Sequence, residues 1–264
     1  MHGSLTLDMA LLFIGLGLAV GVLNILAGGG SLLAMPLLIF FGLPEMVANG
    51  TVRVAILWQC IAALIRYHQA GRLDLAISKR FVPPTLIGAL LGALIGLFFL
   101  PDRVYRHILA VIMLAVAILV VRNPRWLRED ISVPGKSLPP RWTAVLMGLV
   151  GVYGGMVQGG VGYLILAVIV LAEGQTLMQA NVQKVVIIAA YMPIAIIVFG
   201  LGGKVHVPTA LFLTVGQMAG AWFGASLAIS HGASIIRKAL LVAVVLTSLK
   251  LMGADTFLIN TLNP

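Results

Sequence analysis

Long hydrophobic runs without charge alternate with short polar stretches along most of the chain. Asp, Glu, Lys and Arg are absent from residues 9–44, 81–101, 142–172 and 205–236. Apolar runs longer than about 18 residues are long enough to cross a bilayer as helices. They are continuously apolar rather than alternating, which excludes a transmembrane β-barrel. The pattern therefore predicts an all-α polytopic membrane protein.

Composition and charge agree with this class. Of the 264 residues, 61% are hydrophobic and 9% are charged, whereas soluble domains carry about 25% charged residues. The net charge of +9 does not indicate a nucleic-acid partner, because the cations cluster in two short loops. This distribution is the positive-inside pattern and predicts that both loops are cytoplasmic. The single Cys60 offers no disulfide framework and no metal cluster. The loop cations are Arg66, Arg72, Lys79 and Arg80, then Arg122, Arg125, Arg128, Lys136 and Arg141.

An internal duplication is predicted around a central linker. Residues 123–140 hold four prolines and five charged residues, which is typical of a soluble connection. A shift of 132 residues aligns residues 28–54 with the second half at 8 identities, including Gly28 with Gly160 and Asn49 with Asn181. We therefore divide the chain into a first repeat, 1–122, a cytoplasmic linker, 123–140, and a second repeat, 141–264.

Each predicted repeat also contains a G-x-x-x-G-x-x-x-G pattern. Three glycines at this spacing lie on one helix face and allow another backbone to approach closely. We interpret both patterns as tight helix packing. The glycines are Gly88, Gly92 and Gly96, matched by Gly216, Gly220 and Gly224.

Two short segments after glycine clusters are too short to cross a membrane. Residues 9–44 would form a helix of about 54 Å, whereas the bilayer core is about 30 Å thick, so a break is expected at 28–30. The following segment, 31–42, and its copy, 163–174, would each extend about 18 Å. We predict about 8 full spans plus short broken or re-entrant Gly-rich segments near a binding site. Tight turns between tilted spans are the alternative. Ten spans with inverted repeats, rather than eight with parallel repeats, also stay open.

Each half places an asparagine and a cation within an apolar stretch. Asn49 and Arg53 are four residues apart, and Asn181 and Lys184 are three apart, so each pair shares a helix face. Ionisable groups at such depth are costly and point to a functional site. Acidic residues that would neutralise them are scarce, which favours a small anionic substrate. Snorkelling of the two cations to an interface and helix N-capping by the two asparagines are the alternatives.

The candidate site contains two kinds of group, side chains that contact substrate and backbone or hinge positions. Bare backbone N–H groups at the glycine clusters suit an anion. No metal ligands and no cofactor are expected. The side chains are Asn49, Thr51, Arg53, Gln158, Asn181, Gln183 and Lys184; the backbone and hinge positions are Gly28, Gly29, Gly30, Ser31, Gly159, Gly160 and Gly162.

Ordered motifs make the chain resemble the sulfite exporter TauE/SafE family, also called toluene-sulfonate uptake permeases. They comprise an early glycine-repeat opening, then 27–31 (Ala-Gly-Gly-Gly-Ser), Pro36 and 48–51 (Ala-Asn-Gly-Thr). The second half adds the glycines of 154–162 and Ala-Asn at 180–181. The resemblance covers nearly the whole chain. It implies a bacterial inner-membrane permease, built by duplication, that moves sulfite, sulfonates or related small organic anions.

Transport is favoured over the other functions that a membrane protein of this size could have. An enzyme is not expected, because the chain has no H-E-x-x-H, no G-x-S-x-G and no intramembrane carboxylate pair. An anion leaving a negative cell interior gains about 2.3 kcal/mol per 100 mV, and intramembrane carboxylates, the usual proton relays, are scarce, so export is preferred. Proton- or sodium-coupled uptake and a passive anion channel are the alternatives. Membrane lipid surrounds the protein, and assembly into homo-oligomers stays open.

Overall fold

The computed structural model describes residues 7–101 and 138–251, with Val104, His107 and Val111 between them. Within these residues the secondary structure is helical and no strand is present. Nine helices follow one another along the described chain. They are α1 Leu7–Ala27, α2 Gly30–Phe40, α3 Glu45–Gln69, α4 Leu75–Ser78, α5 Val82–Phe99, α6 Pro140–Met156, α7 Val161–Glu173, α8 Leu177–Leu201 and α9 Val207–Leu251. Helix α9 is interrupted by a kink at Gly232, whose φ is +60°.

Several predicted boundaries fall on parts of the chain outside the description. Most of the predicted cytoplasmic linker, 123–137, lies outside the described residues, as do 1–6, most of 102–122 and 252–264 of the two predicted repeats. The predicted boundaries of the three regions therefore stay predictions.

Five of the described helices are long and apolar enough to cross a membrane: α1, α3, α5, α8 and the first part of α9, Val207–Ile236. Two others, α2 and α7, are apolar but shorter, with 11 and 13 residues. At 1.5 Å per residue they extend only about 16 and 20 Å, less than a bilayer core of about 30 Å. The chain is thus a multi-pass helical membrane protein. The count of eight spans stays a prediction.

The break expected at 28–30 is confirmed. Helix α1 ends at Ala27, and Gly28 adopts φ +79° before α2 begins at Gly30. Glycine takes this left-handed conformation with little steric cost. Helix α2 then returns beside α1, since the rings of Phe13 and Phe41 meet edge to face at 5.5 Å. Helices α1 and α2 therefore form a hairpin whose second helix is too short to span a bilayer core; its re-entry into the membrane stays a prediction.

The second break lies between the end of α6 and the start of α7 at Val161. Gly160 caps α7 in the left-handed region, with φ +74°. Gln158 has φ +64° and is the single non-glycine residue with positive φ among the described residues. A residue with a side chain in this conformation stores backbone strain, which in proteins concentrates at functional sites.

The two G-x-x-x-G-x-x-x-G patterns pack helices tightly, as predicted. A Cβ added to Gly92 of α5 would lie 1.9 Å from the carbonyl oxygen of Val152 in α6. Similarly, a Cβ on Gly220 of α9 would lie 2.1 Å from the carbonyl oxygen of Leu18 in α1. Hence α5 packs along α6, and α9 along α1, with the backbones in contact.

Helices α3 and α8 pack antiparallel to one another. Near the start of α3, Thr51 Oγ1 accepts a hydrogen bond of 2.9 Å from the backbone N–H of His206, which follows α8. Near its end, Tyr67 Oη accepts from Asn181 Nδ2 at 3.0 Å, close to the start of α8. This pair carries both asparagine–cation pairs of the candidate site.

Candidate functional site

The two helix breaks meet inside the protein. A Cβ on Gly28 would lie 2.8 Å from the Cα and carbonyl carbon of Gly162, and a Cβ on Gly162 would lie 2.5 Å from the Gly28 Cα. The backbone N–H of Gly160 also donates to Ser31 Oγ at 3.3 Å. Both contacts join the start of α2 to the start of α7, so the N-terminal ends of the two short helices face one point. We call this point, made by residues 28–31 and 159–162, the crossing.

Arg53 reaches from α3 to the end of α6. Its guanidinium donates to the carbonyl oxygens of Gly154 at 3.0 Å and Gly155 at 2.7 Å. It also stacks over the ring of Phe199 at 4.6 Å. The last carbonyls of a helix lack intrahelical partners and carry the negative end of its dipole. Arg53 therefore satisfies the end of a helix that breaks within the membrane.

Lys184 bonds to the C-terminal end of α1 in the same way. Its ammonium donates to the carbonyl oxygens of Asn24 at 3.1 Å and Ile25 at 2.8 Å, and to Asn181 Oδ1 at 2.7 Å. All three acceptors are uncharged oxygens, two of them in the last turn of α1. An ammonium has three N–H donors, so all the donors of Lys184 are used, two of them on the C-terminal end of α1.

The snorkelling alternative is wrong for both cations. Arg53 is 0% and Lys184 1% exposed, and their bonds run inward to helix ends on the other side of the candidate site. Both cations are hydrogen-bonded to backbone carbonyls of other helices. Separations of 101 to 160 residues hid these acceptors from inspection of the sequence.

The N-capping alternative for the two asparagines is wrong as well. The residues at the N-caps are Pro44 for α3 and Thr176 for α8, so Asn49 and Asn181 are each the fifth residue of the helix and lie in its second turn. Asn181 joins Lys184 to Tyr67. Asn49 Nδ2 donates to the carbonyl oxygen of Met156 at 2.9 Å, at the end of α6. Asn181 therefore contacts its cation directly, whereas Asn49 bonds to the same helix end as Arg53.

The strained second break is held by two tyrosines. Tyr191 of α8 donates from its hydroxyl to Gln158 Oε1 at 2.7 Å. Tyr153 donates to the carbonyl oxygen of Gly159. These bonds fix the side chain and the backbone of the segment that contacts α2. Gln158 thus borders the crossing.

Thr51 and Gln183 serve loops rather than the crossing in the bonds that the structure gives them. Thr51 accepts from His206, before α9. Gln183 donates to the carbonyl oxygen of Asp74 at 2.9 Å and accepts from the hydroxyl of Ser78, around α4. Of the predicted side chains, five therefore gather at or beside the breaks, and these two hold the connections after α3 and α8.

The site has an excess of positive potential. A helix end carries roughly half an elementary charge, positive at the N-terminus and negative at the C-terminus. Arg53 and Lys184 each face a C-terminal end and are thus about half compensated by it. The N-terminal ends of α2 and α7 add roughly half a positive charge each. With both side chains charged, the sum is about +2.

Sequence reasoning missed the tyrosines that complete this network. Tyr67, Tyr153 and Tyr191 all bond to groups of the candidate site. A usable signal existed, because a tyrosine within an apolar run needs a partner for its hydroxyl when buried. The partner itself is not encoded locally.

Several apolar spans around a polar, broken-helix centre define a multi-pass membrane transporter. The model of the family described as "Sulfite exporter TauE/SafE" matches residues 13–251. The chain belongs to this family. It is 26% identical over 248 residues to the probable membrane transporter protein ORF9 of Sinorhizobium sp, covering 94% of each chain. It is 28% identical over 232 residues to the probable membrane transporter protein YfcA of Escherichia coli K12, covering 88% of this chain and 85% of that one. No solved structure matches the chain.

Proposed function

We propose that the protein exports a small anion, such as sulfite or an organosulfonate, across the bacterial inner membrane. The anion binds at the crossing, between two repeats and near the bilayer midplane. One observation carries the proposal. The N-terminal ends of α2 and α7 meet where Gly28 contacts Gly162, and two fully buried cations lie at the adjoining helix ends.

The repeats are proposed to be inverted. The contacts support this, because corresponding helices exchange partners: α1 packs on α9, and α6 packs on α5. Helices α3 and α8, which carry the matching Asn49 and Asn181, run antiparallel. A two-fold axis in the membrane plane relates two such halves, as in other transporters with inverted repeats. Alternating access then follows from rocking one half against the other around the crossing.

The proposed substrate contacts fall into two sets. Backbone N–H groups of the crossing bind the anion directly, helped by Ser31 and Gln158. Arg53 and Lys184 act mainly through their charge, since each already donates to helix carbonyls. Asn49 and Asn181 orient them. Thr51 and Gln183 stay in the proposed set as residues that couple the loops to the site.

Export is proposed over coupled uptake because the membrane potential alone drives an anion outward, by about 2.3 kcal/mol per charge per 100 mV. Glu173, at the end of α7, pairs with Arg80 and is not part of the crossing. A passive channel shares the same charges. It differs in showing no saturation and no counter-transport.

The test is anion flux in proteoliposomes under an imposed potential, with sulfite and an organosulfonate as probes. Arg53→Gln and Lys184→Gln are expected to fold and to lose most flux. Arg72→Gln, which removes a cation from an exposed loop, is the matched control and is expected to keep it. Normal flux in both buried-site variants would refute the role of these cations. If the wild-type protein transports neither sulfite nor the organosulfonate, the proposed substrates are refuted.

A further inference from the structure

A tyrosine hydroxyl without a protein partner lies at the crossing. Tyr163 is 0% exposed, and its hydroxyl neither donates nor accepts a hydrogen bond in the structure. A Cβ placed on Gly29 would lie 2.0 Å from this oxygen, so the hydroxyl sits directly over the N-cap of α2. An unpaired polar group in a membrane interior carries a large free-energy penalty. Such a group is normally satisfied by water or by a ligand.

The unpaired hydroxyl of Tyr163 differs from the hydroxyl of the residue that the predicted duplication matches to it. The shift of 132 residues pairs Tyr163 with Ser31. Ser31 uses its hydroxyl to accept from the N–H of Gly160, whereas Tyr163 has no equivalent bond. The crossing is therefore asymmetric, with one spare hydroxyl on the side of α7.

Other buried tyrosines show that the fold can satisfy such groups. Tyr67, Tyr153 and Tyr191 each have a hydrogen-bond partner. Packing of the ring alone would be served equally by phenylalanine, which has no hydroxyl to desolvate. The spare donor lies next to the dipole end of an eleven-residue helix, which attracts negative charge.

We propose that the Tyr163 hydroxyl donates a hydrogen bond to an oxygen of the transported oxyanion held at the start of α2. This inference rests on the proposed function and adds a residue to its site. The substrate class is a small oxyanion with at least two accepting oxygens. One oxygen faces the backbone N–H groups at the start of α2, and another accepts from Tyr163. An anion without oxygen acceptors, such as chloride, gains less from this donor.

The test compares Tyr163→Phe with wild type in purified protein, using sulfite as the probe. Without anion, Tyr163→Phe is expected to leave Tm unchanged or raise it, because it removes an unpaired polar atom. Tyr67→Phe calibrates this measurement and is expected to lower Tm, since it breaks the bond from Asn181. In a sulfite titration, Tyr163→Phe is expected to raise Kd and the KM for flux by about 10-fold or more, because hydrogen bonds to charged groups are the stronger class.

Each outcome has a defined meaning. A wild-type Kd for Tyr163→Phe overturns the inference while the proposed function stands. A lower Tm without anion together with an unchanged Kd also overturns it, since the hydroxyl then has a structural partner. Gly29→Ala is the second variant. Its added Cβ would displace the Tyr163 hydroxyl without removing it, so this variant is also expected to weaken sulfite binding. If wild type responds neither to sulfite nor to an organosulfonate, the proposed function fails and the inference with it.

Discussion

Gly28→Ala is the perturbation that most directly tests the crossing. Gly28 has φ +79°, and an alanine in this left-handed region costs about 1–2 kcal/mol. In addition, its Cβ would lie 2.8 Å from the Cα and carbonyl carbon of Gly162. Carbon atoms prefer separations of about 3.5–4.0 Å, so α2 and α7 must move apart by close to 1 Å. Overpacking of this kind costs a further 1–3 kcal/mol or so.

A matched control separates the two effects. Gly71 has φ +64° and no atom within 4 Å of an added Cβ, so Gly71→Ala meets the backbone cost without the clash. The expected difference in unfolding free energy between the two variants is therefore about 1–3 kcal/mol. For a chain of this size each kcal/mol corresponds to roughly 2–4 °C in Tm.

The assay is thermal unfolding of both purified variants, followed by anion flux after reconstitution. Gly28→Ala is expected to unfold at a lower temperature than Gly71→Ala and to lose transport, because separating the helix starts dilutes the positive potential at the crossing. Gly71→Ala is expected to transport normally. Equal Tm values and equal flux in the two variants would refute the contact between the broken segments.

Two further predictions concern stability. Gly92→Ala places a Cβ 1.9 Å from the carbonyl oxygen of Val152 and is expected to lose about 1–3 kcal/mol; Gly200→Ala, with nothing within 4 Å, is expected to be neutral or to gain up to about 1 kcal/mol. Similar Tm values for this pair would contradict close packing of α5 on α6. Thr176→Ala removes the capping box with Gln179 and is expected to lose about 1 kcal/mol. Thr176→Ser should retain it, and a loss in both would assign the effect to something other than the cap.

Length arithmetic was enough to predict the break after α1. A run of 36 uncharged residues, 9–44, does not fit a bilayer as one helix, and three consecutive glycines mark the break. The shift of 132 residues then placed the matching short segment at 163–174, close to the second break before Val161. The glycine patterns predicted backbone contacts because their spacing alone defines a helix face. These features depend on local sequence, which is why they could be predicted.

Partners of the polar side chains could not be predicted in the same way. Asn49 and Asn181 favour helix N-caps by propensity, yet tertiary contacts hold them inside helices that start at Glu45 and Leu177. Two of the three acceptors of Lys184 are backbone carbonyls 159 and 160 residues away. Every residue has a backbone carbonyl, but most carbonyls inside a helix already have a partner. Which carbonyl can accept from Lys184 therefore depends on where a distant helix ends. No side-chain pattern reports this.

The exchange of helix ends between the two parts of the chain limits how the site can work. Arg53 bonds to carbonyls of α6, and Lys184 bonds to carbonyls of α1, so neither part satisfies its own broken helix. In a membrane interior, each carbonyl left bare costs several kcal/mol. A cation that left its helix end to bind an anion would meet this penalty unless water replaced it. The penalty is avoided if the two cations attract the anion without leaving their helix ends, because their positive potential acts over a distance while their hydrogen bonds stay in place. We therefore expect Lys184→Gln to raise the Kd for sulfite and also to lower Tm, because it removes both the positive charge and the donor to the α1 carbonyls. An unchanged Kd would refute the role of the charge.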